Sequence, residues 1–140
     1  LDVDDHLLLG TDLVKDVVRL ELAYDDPVGV TAEFNKNVLN VLNRELSGDF
    51  DLDAFAHVAR FDLEHEWIDI GLNSLVDQDV HLGALDLTTR FAAGEMMRTE
   101  ISTKFTRPRL EESYAGTGLK MASWFTDPAE DYALSLAKLA

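Results

Sequence analysis

The apolar spacing of this chain changes period near its middle, and that change limits the folds open to it. Phe34, Val38, Val41, Leu42 and Leu46 recur at three and four residues, the spacing of one helix face. After a short turn at Asp51 to Phe55 the pattern becomes period two: Ile68, Ile70 and Leu72 fall on one side, Trp67 and Asp69 on the other. Such alternation marks a strand with one buried face. The predicted class is α/β, with a β-rich middle set among helices.

Around that switch the elements read as follows. Leu7 to Asp12 is a short buried strand of the kind found in the centre of a parallel sheet. Asp12 is placed to cap a helix running through Tyr24, with Leu13, Val14, Val17, Val18, Leu20 and Leu22 as apolar surface. Asp25-Asp26-Pro27 stops it, because the residue before proline avoids helical geometry. Thr31 is the expected N-cap of the second helix, Glu33 sits favourably in its first turn, and Gly48 fits its C′ position. Asn35, Asn37, Asn40 and Asn43 are poor helix formers. Four in one helix suggest polar contacts, although a solvated face is the commoner reason for any one of them.

His57 to Phe61 and Trp67 to Leu72 form a predicted hairpin around Asp62-Leu63-Glu64-His65. Val80 to Leu82 and Leu85 to Phe91 continue as strands, with Leu85, Leu87, Thr89 and Phe91 on one side. Ala92 to Glu95 turns the chain. Thr106-Arg107-Pro108 opens a third helix that ends at Gly116 to Gly118, and Leu119 to Phe125 and Tyr132 to Ala137 are the last strands. The β-rich middle reads as an insertion into an α/β unit.

Composition excludes several function classes. The 27 acidic residues against 12 basic ones give a net charge of -15, which repels phosphate backbones and anionic membrane surfaces, so neither nucleic acid nor membrane is an expected partner. The charge is spread along the chain, as a solubility feature is. No cysteine is present, which removes disulfides, thiolate metal sites and a cysteine nucleophile. His6, His57, His65 and His81 lack two-histidine helix spacing, so no metal is expected. No apolar run reaches spanning length and no signal peptide is recognisable, which leaves the cytoplasm as the expected compartment. The first residue is Leu1 and not Met, so a processed or truncated start is expected.

The segment Gly94 to Phe105 carries the chemistry. It places Glu100 and Ser102 two residues apart in an extended run. At i and i+2 such side chains point the same way, about 6.5 Å apart at roughly 3.3 Å per residue. A carboxylate accepts from a ring N–H, and a hydroxyl donates to or accepts from a second nitrogen, so the pair can grip one small heterocycle. The same spacing suits a solvated strand face, which is the commoner arrangement.

Larger blocks point further. Asp12-Leu13-Val14-Lys15-Asp16, Ala23-Tyr24-Asp25-Asp26, Gly29-Val30-Thr31, Phe34-Asn35-Lys36-Asn37-Val38-Leu39, Asn43-Arg44-Glu45-Leu46, Gly94-Glu95, Arg98-Thr99-Glu100-Ile101-Ser102, Lys104-Phe105 and Trp124-Phe125-Thr126-Asp127 occur in this order. Together they resemble the histidine-specific S-adenosylmethionine-dependent methyltransferases, which in ergothioneine biosynthesis trimethylate the α-amine of L-histidine to hercynine. The resemblance covers nearly the whole chain. It implies a Rossmann-like methyltransferase sheet interrupted by an α+β substrate-binding domain. Residues 1–16 and 105–140 would then be the end of the methyltransferase core, and 17–104 the substrate-binding domain.

The resemblance also implies residue roles. Tyr24 matches the tyrosine that bonds the backbone end of the amino acid, and Glu100 and Ser102 match the pair that holds the imidazole. Ile70 stands where histidine-selective members carry a methionine, which keeps an apolar wall and removes a thioether. The family's glycine-rich cofactor loop and ribose-binding acid have no counterpart here, since Gly116-Thr117-Gly118 follows a helix and precedes a strand. The chain is therefore expected to be the C-terminal half of a family member, inactive alone, with its S-adenosylmethionine site mostly upstream. The missing N-terminal half is a possible partner. A noncatalytic amino-acid-binding module, or a member acting on another amino acid, are the competing expectations.

Overall fold

Among the described residues, 2–140, the computed structural model holds eight strands, three α-helices and two one-turn 3-10 helices. In chain order these are β1 (Leu7–Asp12), α1 (Val17–Tyr24), α2 (Val30–Leu46), a 3-10 turn (Leu52–Ala54), β2 (Phe55–Asp62), β3 (Trp67–Ser74), β4 (Gln78–Leu82), a second 3-10 turn (Gly83–Leu85), β5 (Leu87–Phe91), β6 (Met96–Thr103), α3 (Arg107–Gly116), β7 (Leu119–Thr126) and β8 (Tyr132–Leu139). The protein is a mixed α/β chain with antiparallel sheets, and it divides into two compact units. One holds the chain through Asp16, Leu63–Glu66 and Thr103–Ala140; the other holds Val17–Asp62 and Trp67–Ser102.

The first unit is built on the sheet β1-β8-β7. Leu7 to Asp12 is a strand, as predicted, but its neighbour β8 runs antiparallel to it, Leu9 facing Ser135. The strand is less buried than its apolar run suggests, Leu7 and Leu9 being half-buried and Leu8 exposed. Proline at the second position of α3 and Thr106 at its N-cap start that helix where the sequence places it. Leu110 and Tyr114, one turn apart, pack on Ala137, and the Tyr114 hydroxyl shares a buried 2.6 Å hydrogen bond with Ser135. Small residues at 133, 135 and 137 let the helix lie close to the sheet. The opposite face is apolar and exposed at Leu8, Phe125, Tyr132 and Leu134. Gly10 allows the Tyr132 ring to lie over β1, since a Cβ there would run into its hydroxyl.

Asp12 caps no helix. It ends β1, four further residues precede α1, and its carboxylate takes Lys15 Nζ at 2.6 Å and the buried Lys104 Nζ at 2.9 Å. Two cations outcompete a backbone N–H for the same oxygens. Partial burial opposes the ionisation of Asp12, but the hydrogen bonds and charges of Lys15 and Lys104 outweigh it and hold the carboxyl below its ordinary range.

The second unit contains the sheet β2-β3-β6 and the two-stranded ribbon β4-β5. The hairpin β2–β3 forms in the predicted register region, Ala59 opposite Ile70. Ile68, Ile70 and Leu72 share its buried face. Phe50, Phe55 and Phe91 make the centre of one core with Leu39, Leu72 and Val80, and the rings of Phe55 and Phe91 meet edge to face at 5.4 Å. Leu20, Ala59, Ile68 and Ile70 form a second cluster.

Three expectations about this unit are corrected. Thr31 is not the N-cap of α2: Gly29 occupies that position at φ 83, and Asp26 accepts from the N–H groups of Val30 and Thr31. An Asp four residues upstream thus does the capping, and these bonds, that from Thr31 first, pull its carboxyl down to about 2. The buried face of α2 is Asn35 and Leu39, while Phe34 is 76% exposed and Val38 is exposed as well. The apolar stripe at 34 and 38 lies one position from the buried one, because Asn35 has hydrogen-bond partners inside the unit. Gly48 follows the C-cap Ser47, as expected, but the positive φ belongs to Ser47, and Gly48 gives space, its missing Cβ lying 2.9 Å from Asn43 Oδ1 and 3.0 Å from Leu82 Cδ2. Leu85 lies in a 3-10 turn and not in β5.

Candidate functional site

Strand β6 forms where the segment reads as extended, entered through a turn in which Gly94 has φ 84 and Glu95 Oε2 accepts from the Ala92 N–H at 2.8 Å. Its alternation is regular only at first. Met97 and Thr99 are half-buried, then Glu100 and Ile101 are both exposed, and Ser102 and Thr103 are both half-buried. Arg98 makes two bonds to Asp69, at 2.7 and 2.6 Å, on the face of β3 opposite Ile68 and Ile70. Glu100 instead lines a hollow of about 280 Å3 with Phe34, Asn35, Asn37, Val38 and Thr99. Glu100 and Ser102 thus differ in burial, Glu100 exposed and Ser102 half-buried, on one continuous strand.

Ser102 Oγ and the Tyr24 hydroxyl share a hydrogen bond at 2.8 Å. Tyr24 ends α1 because Asp25, Asp26 and Pro27 follow it, and that placement brings its ring against the Leu20, Ala59, Ile68 and Ile70 cluster. Ile70 itself is buried in that cluster and does not line the Glu100 hollow. Of the four residues singled out in the sequence, Tyr24 and Ser102 touch, Tyr24 packs against the cluster that includes Ile70, and Glu100, on the same strand as Ser102, lines a hollow that none of the other three lines.

Sequence reasoning missed three residues that tie these together. His57 Nε2 lies 2.7 Å from the Tyr24 carbonyl oxygen, and His57 Nδ1 lies 3.0 Å from Asn35 Nδ2. Asn35 Nδ2 also donates to the Gly71 carbonyl at 3.2 Å, and Thr99 Oγ1 donates to the Ile70 carbonyl at 3.2 Å. The available signal was the run of asparagines in α2. Asn35 and Asn43 do make buried or half-buried polar contacts, Asn43 bonding both N–H and C=O of Phe50, whereas Asn37 and Asn40 are exposed.

Two other hollows carry none of the four residues. One of about 290 Å3 is lined by Val58, Arg60, Asp69, Asn73, Gly94 and Met96. The other, about 390 Å3, lies in the first unit among Leu13, Val14, Phe105, Thr106, Arg107, Trp124, Thr126 and Glu130. Among the described residues no group of histidine, aspartate and glutamate is placed to hold a metal ion, and no helix is long and apolar enough to cross a membrane.

A hydrogen-bonded tyrosine and serine, and a carboxylate at a small hollow two residues from that serine on β6, are groups able to bond a small molecule with ring or amine nitrogens. A family profile described as histidine-specific methyltransferase, SAM-dependent, matches residues 1–139, and the chain belongs to this family. It is 56% identical over 137 residues to histidine N-alpha-methyltransferase of Mycolicibacterium smegmatis, covering 98% of this chain and 43% of that protein. It is also 56% identical over 133 residues to histidine N-alpha-methyltransferase of Mycobacterium tuberculosis, covering 95% of this chain and 41% of that protein. The chain thus spans about two fifths of the length of the curated relatives it matches.

Among the described residues no glycine turn leads from a strand into an α-helix. A nucleoside with a charged tail is held by a glycine turn running from a strand into a helix. Here Gly118, at φ 74, closes α3 and leads into β7, the reverse order. The hollow of about 390 Å3 in the first unit has Arg107, which is engaged by Glu111 at 2.9 Å, and Glu130 as its acid.

Proposed function

We propose that this chain carries the amino-acid-binding part of a SAM-dependent L-histidine Nα-methyltransferase, whose product after three methyl transfers is hercynine. The observation that carries the reading is the Tyr24–Ser102 hydrogen bond, made on the same strand that bears Glu100 at its hollow. Glu100 accepts from one ring N–H of histidine, Ser102 bonds the other ring nitrogen, and Tyr24 takes the carboxylate end. The mutual Tyr24–Ser102 bond is exchanged for bonds to the ligand, so each hydroxyl keeps a partner throughout. Anchored at both ends, the α-amine is held in one direction, and positioning of this kind lowers a barrier by on the order of 7–11 kcal/mol.

In the same reading the second unit is the substrate-binding domain, and the first is the end of a Rossmann-like methyltransferase sheet into which that domain is inserted. The methyl donor is bound outside this chain, so the chain alone turns nothing over. Incubation with labelled S-adenosylmethionine and histidine tests this, and clear turnover would contradict it. The site itself is tested by calorimetry: histidine binding undiminished by Glu100→Ala would refute it.

A second reading keeps the amino-acid site and makes the chain a partner-completing module. The exposed apolar face of Leu8, Phe125, Tyr132 and Leu134 favours it, because an apolar sheet face is ordinarily covered. The cover proposed is the remaining three fifths of a family member. Ile70 leaves a third reading, another amino acid as substrate; a panel of amino acids in the same calorimeter separates it from histidine.

A further inference from the structure

The hydrogen bonds around His57 form a chain that begins and ends at backbone carbonyls. One end is the Tyr24 carbonyl, which takes His57 Nε2 at 2.7 Å; the other is the Gly71 carbonyl, which takes Asn35 Nδ2 at 3.2 Å. Carbonyl oxygens only accept, so both ends fix the direction of donation. His57 Nε2 must carry a proton. The amide nitrogen of Asn35 spends one hydrogen on Gly71 and has the other for His57 Nδ1, 3.0 Å away. Nδ1 must then be bare, and His57 is the neutral Nε2–H tautomer. The direction needs no choice between the amide orientations of Asn35, because the oxygen of that amide has nothing to offer the Gly71 carbonyl.

These bonds lie among the candidate site residues. Tyr24, gripped at its carbonyl by His57, presents its hydroxyl to Ser102. Gly71, gripped by Asn35, directly follows Ile70, whose carbonyl is bonded by Thr99, the neighbour of Glu100. Asn35 is 9% exposed and lies mid-helix, where asparagine is a poor choice on propensity alone. Its cost in helix stability is offset by the two bonds it donates.

We infer that His57 and Asn35 are positioning residues: a neutral His57, oriented by Asn35, fixes the C-terminal turn of α1 so that the Tyr24 hydroxyl meets Ser102 at the amino-acid site. This deepens the binding reading above and rests on it for its function. His57 touches Tyr24 through the main chain only, so it acts on the ligand through that residue. Were Nδ1 to take a proton, it would face the Asn35 amide donor, and Asn35 would have to turn and release Gly71. The relay is therefore complete only with the imidazole neutral.

The test is nuclear magnetic resonance on this chain with labelled imidazole and tyrosine rings. His57 is expected to show a proton on Nε2 and an acceptor Nδ1. Asn35→Ala is expected to abolish that tautomer preference and to move the ring signals of Tyr24, leaving those of Tyr114 and Tyr132 in place. His57→Gln, whose amide can still donate to the Tyr24 carbonyl, keeps the Tyr24 signals near their original positions; His57→Phe does not. Histidine affinity falls about tenfold in Asn35→Ala and His57→Phe, the value of one ordinary hydrogen bond, and largely recovers in His57→Gln. A proton on Nδ1, or Tyr24 signals unmoved in both Asn35→Ala and His57→Phe, would overturn the inference. If His57→Phe does not fold, the tautomer and Asn35→Ala decide. Histidine binding undiminished in Glu100→Ala would instead sink the site reading, and the tautomer and Tyr24 signals would still judge the relay.

Discussion

β3 and β8 are each the middle strand of three, yet their faces are used differently. On β3 the residues Ile68, Ile70 and Leu72 are buried, while Asp69 on the reverse is bound by Arg98, whose guanidinium also lies 5.9 Å from the Trp67 ring centre. On β8 the residues Ala133, Ser135 and Ala137 are buried toward α3, and Tyr132 and Leu134 on the reverse stand open. A sheet with one apolar and one polar face is finished; a sheet apolar on both faces is built to be covered twice. The reverse of β3 thus carries a paired charge where the reverse of β8 carries exposed apolar side chains.

The largest expected effect comes from two phenylalanines that sharpen this contrast. Phe55 is fully buried between Phe50 and Phe91, whereas Phe125 is 59% exposed. Phe55→Ala should cost about 3–5 kcal/mol in urea unfolding, and Phe125→Ala less than about 0.5 kcal/mol in this chain. Equal losses would break the comparison. Next, Glu100→Ala should weaken histidine binding by about ten- to a hundredfold, the value of a hydrogen bond to a charged group. Because Glu100 is exposed, the unfolding midpoint should hardly move.

Acid should then separate the two units. Asp12 in the first and Asp26 in the second both have depressed folded-state pKa values. A carboxyl of lowered pKa stabilises the fold fully above its unfolded value near 3.8, and that contribution fades as pH falls through the folded value. Carbon NMR of the carboxyls should show Asp26 ionised until about pH 2, with the first turn of α2 intact above that, and Asp12 protonating between the ordinary value and its own lower one, loosening Lys104. Either carboxyl titrating at the ordinary value would remove its assigned partners. The smallest effect is on solubility. Leu134→Lys should reduce self-association without changing the midpoint by more than about 0.5 kcal/mol.

Most elements were legible in the sequence, because period, turn residues and Pro108 act locally. The hairpin β2–β3, the strand β6 and the start of α3 all follow from neighbours within a few residues. What escaped depends on distant partners. The register of β1 is set by β8, more than a hundred residues on. The phase of α2 is decided by Asn35 finding His57 and Gly71, and apolar periodicity cannot register a buried polar residue. Asp12 was given a helix to cap because Lys104, its real partner, lies far along the chain. At the proposed site, Glu100, Ser102 and Tyr24 stood out as residue types, but the hydrogen bond between Tyr24 and Ser102, 78 residues apart, has no local signal in the sequence.

One experiment bears on the central claim most directly: an NMR titration of this chain with L-histidine, compared with L-phenylalanine, whose ring has the same reach and no nitrogens. Saturable shifts at Tyr24, Glu100 and Ser102 with histidine, and none with phenylalanine, are expected. Equal responses to both, or none at those three residues with histidine, would contradict a clasp built for the imidazole.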